Sequence, residues 1–522
     1  MPRFDLPELD HPATVPALLA RAAERFGADD YVVTETDRLS FAEADRRSAL
    51  LARQLLANGV GKGTRVGIVL PSGPDFAVAF LAVARIGALA MLFSSTYRPA
   101  ELERVLRIGD VDTLLAPAVL LGRDYTEALE ATAPGLAGHG PSPLHLESLP
   151  YLRSIWLVGE SDRSWATALD GRDAPLLAVD PSLLAAVEAQ VNPADLLLSI
   201  CTSGSSADPK LVLHTHGAVV RKVHPSTGIG LAGSWYGHRA FVAMPFFWVG
   251  GPLCLLGSLH TGTALVCQER FDVDAAIALM EREHVTTIAG WRARVEQLRD
   301  DALVSGRDLS ALTELAPFVR SSRDDPVNVG MTETCGPHHN PELFDYRIAD
   351  PDTGAELSNG EVGEFWVRGF GVMSGKYKEE REDTFDADGW FHTGDRGYLE
   401  GGRVFFVGRY SEMLKSAGAN VAPAEVEQVL LTFAGIDEAY VVGVPHADLG
   451  DEVVALVVPA AGAVLDAEDL TARLKVLLSA YKVPKRFVVL APDEVPRLAT
   501  GKVDKRSMAA RVAAGPDLRL AR

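Results

Sequence analysis

Apolar and polar positions along this chain alternate with two periods, and the periods themselves take turns. The stretch FAEADRRSALLARQLLANGV, from Phe41, repeats its apolar residues at helical spacing and predicts a helix that stops at Asn58-Gly59. TRVGIVL, from Thr64 to Leu70, reads as a short β-branched strand before the PSGPD turn. Phe76 to Phe93 is the longest apolar run, but Arg85 interrupts it and Gly87 follows. It predicts a buried helix, a glycine stop and a strand (ALAMLF), since a membrane span wants ~20 nearly uninterrupted apolar residues. Such alternation predicts an α/β fold with mostly parallel sheets. ATAPGLAGHGPSPL is a loop by its Pro and Gly content. Between 360 and 410 the pattern changes to short strands with many turns: EVGEFWVRG, WFHTGD and RVFFVGR. Beyond Arg409, helices (PAEVEQVLLTF, DLTARLKVLLSAY) mix with strands (AYVVGV, EVVALVVP, RFVVL) in a compact segment. The chain shows no internal repeat and no low-complexity tract.

Composition narrows the function classes. At 522 residues and 47% hydrophobic, the chain has room for two to four domains and a large core, and needs no disulfides for stability. A net charge of −20 argues against nucleic acid or an anionic membrane surface as the main partner. Any anion site must therefore be built locally. Residues 410–522 carry a net charge of only −2, with eight basic residues within 482–511. The remaining −18 lies in residues 1–409. The four cysteines (Cys201, Cys254, Cys267, Cys335) form no CxxC pair, and the amino terminus shows no secretory pattern. A reducing, cytoplasmic location is expected.

The run Thr202-Ser203-Gly204-Ser205-Ser206-Ala207-Asp208-Pro209-Lys210 follows the apolar strand LLLSI. Small and hydroxyl residues after a strand let the backbone bend tightly and present N–H and O–H donors to phosphate oxygens. Lys210 adds a point charge. Pro209 and Leu211 exclude a Walker A loop, and Ser203 does not sit in a GxSxG elbow. Taken alone, the loop is either a phosphate cradle or a polar turn.

Four further motifs follow it in order: GMTET at 330–334, WFHTGD at 390–395, GRYSEMLKSAGANVAPAEVE at 408–427 and PRLATGK at 496–502. In this order and spacing, from about residue 25 to 510, the chain resembles the adenylate-forming superfamily of acyl-CoA synthetases, adenylation domains and luciferases. The resemblance implies a large N-terminal domain (1–409) of stacked αβ sheets with a β-rich subdomain. A small mobile α+β C-terminal domain (410–522) follows, hinged near Ser411, where the family usually carries Asp or Lys. It implies ATP, Mg²⁺ and coenzyme A as cofactors. A carboxylate attacks the α-phosphate of ATP, pyrophosphate leaves, and a thiol then displaces AMP. Positioning and neutralisation of phosphate charge supply most of the catalysis in the first step.

Roles follow by resemblance. Thr202, Ser203, Gly204, Ser205, Ser206 and Lys210 are implied to hold the β- and γ-phosphates. Thr332 is implied to contact the α-phosphate and Glu333 to hold Mg²⁺, a hard cation that suits oxygen ligands. Asp395 and Arg409 are implied to bind the ribose hydroxyls. Lys502 is implied to stabilise the adenylation transition state, with Lys415 and Gly418 serving the thiol step. Phe246, Phe247, Trp248 and Gly250, within AMPFFWVGGPLCLLGSLHTG, match the acyl pocket, as Gly330 and Met331 match the substrate motif. No Asp or Glu occurs from Ala240 to Gly262, which favours an uncharged hydrophobic or ring-bearing acid over an amino acid. Trp248 stands where many relatives carry His and reads either as a gate or as a core aromatic. His214 and His216 are expected to be satisfied structural histidines, as are His338 and His339.

Three departures stand out. Ala207 and Leu211 replace common glycines, and Val329 replaces a tyrosine that stacks on adenine. The run from Ser310 to Val327 lacks a Gly-rich segment that helps wall the adenine site, with LAPF at 315–318 as its remnant. The expected activity is ATP-dependent ligation of a hydrophobic carboxylic acid, such as a fatty acid, to coenzyme A. Alternatives are a stand-alone adenylation protein loading a carrier protein, or a degenerate nucleotide- or acyl-binding member. Neither nucleic acid nor a membrane span is expected.

Overall fold

The computed structural model describes residues 6–520 except 141, 170–178, 203–208, 228–237, 291–294, 296–297, 299–300, 303–304, 313, 316–329, 338–342, 352, 402, 410–413, 461, 497–502 and 516–518. Two compact units divide the chain. One comprises Met1–Ser95, Val105–Cys201 and Leu211–Gly408; the other comprises Thr96–Arg104, Thr202–Lys210 and Arg409–Arg522.

Two sheets dominate the first unit. The eight-stranded sheet runs in the order Gly375–Lys376, Lys210–Thr215, Leu196–Thr202, Leu89–Leu92, Arg65–Ile68, Thr113–Pro117, Ser154–Val158 and Ala166–Ala168. Its central pairings are parallel, while Gly375–Lys376 joins the edge antiparallel. The six-stranded sheet is built around the parallel strands Thr287–Gly290, Arg239–Ala243, Ala264–Val266 and Asp30–Val33. The expected strand and helix stretches fall into place: Arg65–Ile68, the helix Pro74–Arg85 and Leu89–Leu92 follow one another. The helix Phe41–Ala57 starts with Ser40 Oγ accepting from the Glu43 N–H and ends at Asn58, before Gly59 at φ +83°.

One apolar core takes side chains from both sheets and from the helices Val15–Phe26, Phe41–Ala57, Pro74–Arg85 and Gly250–Thr261. Pro74–Arg85 is buried almost all round, which explains why its sequence lacks a polar face. Arg85 is tolerated there because Asp45 and Glu188 pair with it and Ser48 Oγ accepts from it at 3.0 Å. Among the described residues no helix is long and apolar enough to cross a membrane. Leu315, the first residue of the LAPF remnant, lies in the strand Glu314–Leu315, parallel to Thr287–Gly290. An antiparallel four-stranded sheet (Phe344–Ala349, Gly363–Gly369, Phe391–Glu400, Arg403–Arg409) carries the turn-rich region.

In the second unit, Ile436–His446 and Gly450–Pro459 form a long antiparallel pair, and Arg486–Val489 adds in parallel. The helices Pro423–Leu431 and Ala467–Leu477 supply side chains to one apolar core there. Lys482 is buried in this unit, with Nζ 2.8 Å from Glu101 Oε1 and 2.8 Å from Glu425 Oε1. Ser479 Oγ donates to Glu101 Oε2 at 2.7 Å.

Candidate functional site

The GMTET motif folds into a tight device. Gly330–Met331 and Gly336–Pro337 pair antiparallel and enclose the one-turn 3₁₀ helix Thr332–Thr334. Cys335 closes the turn in the left-handed region at φ +53°, followed by Gly336 at φ +88°. Thr334 is fully buried, and its hydroxyl donates to the Gly336 carbonyl at 2.7 Å. Two cores grip the turn. Met331 packs against a cluster that includes Val212, Phe344, Val367 and Phe391. Cys335 belongs to the main core with Leu253 and Cys254, and a Cβ on Gly336 would meet Leu253 Cδ1 at 2.7 Å. Thr332 and Glu333 themselves are half-buried.

Three elements hold the backbone of this turn. His214 Nε2 lies 2.7 Å from the Thr332 carbonyl oxygen, which also accepts from the Cys335 N–H at 2.9 Å. The Met373 N–H donates to the Glu333 carbonyl at 2.7 Å. Lys222 Nζ donates to the Thr334 carbonyl and lies 4.6 Å from the centre of the Phe344 ring. Burial pushes His214 down to about 4, opposed by its bond to Thr332 and reinforced by Lys222. It is therefore a neutral imidazole near pH 7, donating through Nε2. Burial likewise lowers Lys222 to about 7, with Cys335 opposing.

The WFHTGD motif starts the strand Phe391–Glu400. Thr393 Oγ1 donates to the Phe365 carbonyl at 2.8 Å and accepts from the Asp395 N–H at 3.0 Å. Gly394 adopts φ +72°, and its N–H donates to Glu364 Oε1 at 2.8 Å. The other Glu364 oxygen accepts from Trp366 Nε1 at 3.1 Å, and the Trp366 ring stacks on His392 at 3.6 Å. Asp395 thus sits, 1% exposed, on a turn fixed from both sides.

The stretch with Phe246, Phe247 and Trp248, expected to line the acyl pocket, follows the strand Arg239–Ala243. Phe246 is buried, its N–H donating to Ser72 Oγ at 2.9 Å and its ring 5.7 Å from Phe76. Phe247 is buried and Trp248 half-buried, their rings 6.2 Å apart. Helix Gly250–Thr261 starts at two glycines with different duties. A Cβ on Gly251 would fall 2.2 Å from the Phe246 carbonyl oxygen, whereas one on Gly250 would meet the flexible Met244 Sδ at 2.1 Å.

Comparison with known proteins decides the family. A profile described as AMP-binding enzyme matches residues 19–377, and one described as AMP-binding enzyme C-terminal domain matches 425–502. The chain belongs to the AMP-binding, adenylate-forming enzymes. It is 31% identical to a feruloyl-CoA synthase of Amycolatopsis sp, covering 90% of this chain and 92% of that one. A 4-coumarate–CoA ligase 5 of Oryza sativa subsp. japonica is 29% identical, over 92% of this chain and 90% of its own. The o-succinylbenzoate CoA synthetase from Bacillus subtilis shares the fold, with a TM-score of 0.74 at 24% identity over 95% and 98% of the two chains. The expected mixed α/β fold with a large N-terminal and a small C-terminal domain is the fold of this AMP-binding enzyme.

Within it, the Phe246–Gly250 stretch, the Thr332–Glu333 turn and the strand of Asp395 are brought together through the two cores that grip the turn. Thr202 and Lys210 belong to the second unit, where Thr202 Oγ1 donates to the Lys210 carbonyl at 3.4 Å across the base of the loop. Lys415 and Gly418 lie on the hairpin Leu414–Ser416 and Ala419–Val421, whose turn residues Ala417 and Gly418 both have positive φ. The Lys415 N–H donates to Asp451 Oδ2 at 2.8 Å. Arg409 ends the strand Arg403–Arg409, and Gly330 is exposed. Ser203, Gly204, Ser205, Ser206, Ala207, Val329, His338, His339, Ser411 and Lys502 lie outside the described residues.

His214 and His216 are buried, and each bonds through one ring nitrogen only: Nε2 of His214, and Nδ1 of His216, which accepts from the Val15 N–H at 3.2 Å. Their other nitrogens have no partner among the described residues. Sequence reasoning passed over Lys222 and Glu364. A lysine inside the apolar GAVVRKV run was the available signal for the first. Glu364 alternates with apolar neighbours in an ordinary strand pattern and offers none.

Proposed function

We propose that this enzyme activates a hydrophobic carboxylic acid with ATP, releasing pyrophosphate, and transfers the acyl group to coenzyme A. A carboxylate oxygen forms a bond to the α-phosphorus as the bond to the β-phosphate oxygen breaks. The thiol sulfur then bonds the acyl carbon, its proton is lost to solvent, and AMP departs. The Thr332–Glu333 turn carries this reading, because it joins the core that holds Phe246, from a stretch with no Asp or Glu between Ala240 and Gly262, to the core that holds Phe391 on the strand bearing Asp395. Relatives named for feruloyl and 4-coumarate groups support a ring-bearing acid.

Thr332 then meets the α-phosphate and Asp395, with Arg409, the ribose. Thr202 to Ser206 and Lys210 cradle the terminal phosphates, Lys502 steadies the charge that develops during adenylation, and Lys415 and Gly418 serve the thiol step. Residues 1–409 and 410–522 act as the two domains, hinged at Ser411. One half-buried carboxylate, Glu333, on a fixed backbone is the donor set that suits Mg²⁺, which takes few protein carboxylates and completes its shell with water and phosphate. When bound, that ion neutralises phosphate charge. Four unbridged cysteines accord with a reducing, cytoplasmic setting.

A screen of aromatic and fatty acids for pyrophosphate release, then for CoA thioester, tests the reading. A ring-bearing or long-chain acid should give both products. Release with no acid, or acyl-AMP without thioester, would refute it.

A further inference from the structure

The Thr332–Thr334 turn receives support for its backbone from buried side chains. Its three successive carbonyls are held by His214 Nε2 on the strand Lys210–Thr215, the Met373 N–H, and Lys222 Nζ on the helix His216–Lys222 that directly follows that strand. His214 and Lys222 are both fully buried, at 0% exposure. Desolvating an amine is costly, and among the described residues no carboxylate pairs with Lys222. An apolar side chain in its place would pack more cheaply. What the lysine adds is a donor aimed at the Thr334 carbonyl, beside the Phe344 ring.

We propose that His214 and Lys222 are positioning residues, which act through the Thr332 and Thr334 carbonyls to hold the Thr332 and Glu333 side chains where the adenylation transition state needs them. This rests on the function proposed above. Misplacing a catalytic group by about 1 Å costs on the order of 100-fold in rate. The loss should therefore fall on kcat and largely spare ground-state binding of ATP.

The test measures pyrophosphate release by the full chain with Mg-ATP and an accepted acid, for His214→Leu, His214→Gln and Lys222→Met. His214→Leu and Lys222→Met should each lower kcat roughly 10- to 100-fold, with KM for ATP within about threefold of the parent. His214→Gln, which restores an N–H donor, should recover kcat to within about threefold. Lys222→Met should retain the parent's thermal midpoint or exceed it, because it removes a desolvated amine. Unchanged kcat, a loss confined to KM, or a His214→Gln protein as slow as His214→Leu would overturn the proposal. If His214→Leu does not fold, Lys222→Met decides by the same criteria. A parent chain inert with every acid overturns the activity reading and this proposal together; an active parent with unaffected variants overturns this proposal alone.

Discussion

The imidazole Nε2 of His214 lies 2.7 Å from the carbonyl oxygen of Thr332, a residue 118 positions later in the chain. The bond ties a strand of the eight-stranded sheet to the turn that presents Thr332 and Glu333. This bond favours the protonated ring, but burial favours the neutral one and outweighs it, so protons and folding are linked.

Burial is the leading cause that lowers His214 to about 4, His216 to about 4 and His260 to about 3. Below the ordinary histidine value the unfolded chain takes up protons that the folded chain refuses. The histidine contribution to stability should therefore be full above pH 6.5 and fall progressively between 6.5 and about 4, by on the order of a few kcal/mol. Chemical denaturation at pH 7.5, 6 and 5 measures this. His216→Asn, whose side-chain oxygen can still accept from the Val15 N–H, should flatten the slope; an unchanged slope would exclude His216 as a contributor.

Gly251 and Gly250 should respond differently to alanine. A methyl on Gly251 collides with the Phe246 backbone at 2.2 Å, and backbone cannot yield without moving the start of the helix. Gly251→Ala should cost roughly 3 kcal/mol or more, and Gly250→Ala, which displaces only Met244, about 1–2 kcal/mol. Urea midpoints of the two variants provide the comparison, and equal losses would contradict the assignment.

Glu364 should influence nucleotide affinity without touching nucleotide. Both its oxygens are used, by the Gly394 N–H and by Trp366 Nε1. Glu364→Gln turns one acceptor into a donor and loosens the turn before Asp395. If Asp395 binds ribose, KM for ATP should rise about tenfold, equivalent to about 1.4 kcal/mol, with kcat nearly unchanged. A fall in kcat at constant KM would place Asp395 in the chemistry instead.

Lys482 should be a stability residue. Burial opposes its charge, but Tyr481, Glu425 and Glu101 outweigh that and raise its pKa above the ordinary lysine value. Removing the cation strands two buried carboxylates, so Lys482→Met should destabilise by roughly 3–5 kcal/mol at pH 7. The deficit should shrink in Lys482→Met/Glu425→Gln, where one stranded charge is gone. Denaturant titration of both variants checks the order.

Local chemistry explains how much of this was readable beforehand. The helix Phe41–Ala57 and the helix–strand pair of Phe76–Phe93 follow from periodicity and glycine stops, which operate over a few residues. Family membership followed from five short motifs, because their residue types meet phosphate and ribose chemistry directly. Glu364 was invisible, since its value lies in two partners, one of them 30 residues away. The two histidines read as ordinary structural residues because nothing near them in sequence says which carbonyl one of them will meet.

The α/β alternation, the order of the chemical motifs and the lack of acidic residues from Ala240 to Gly262 are all legible in the order of residues along the chain. These depend on neighbouring residues and on composition. That His214 and Lys222 close on the two ends of one turn emerges from folding alone, because those contacts span 118 and 112 positions. Side chains so far apart in the chain meet only where two separate cores pack around the turn, and no local pattern encodes that meeting.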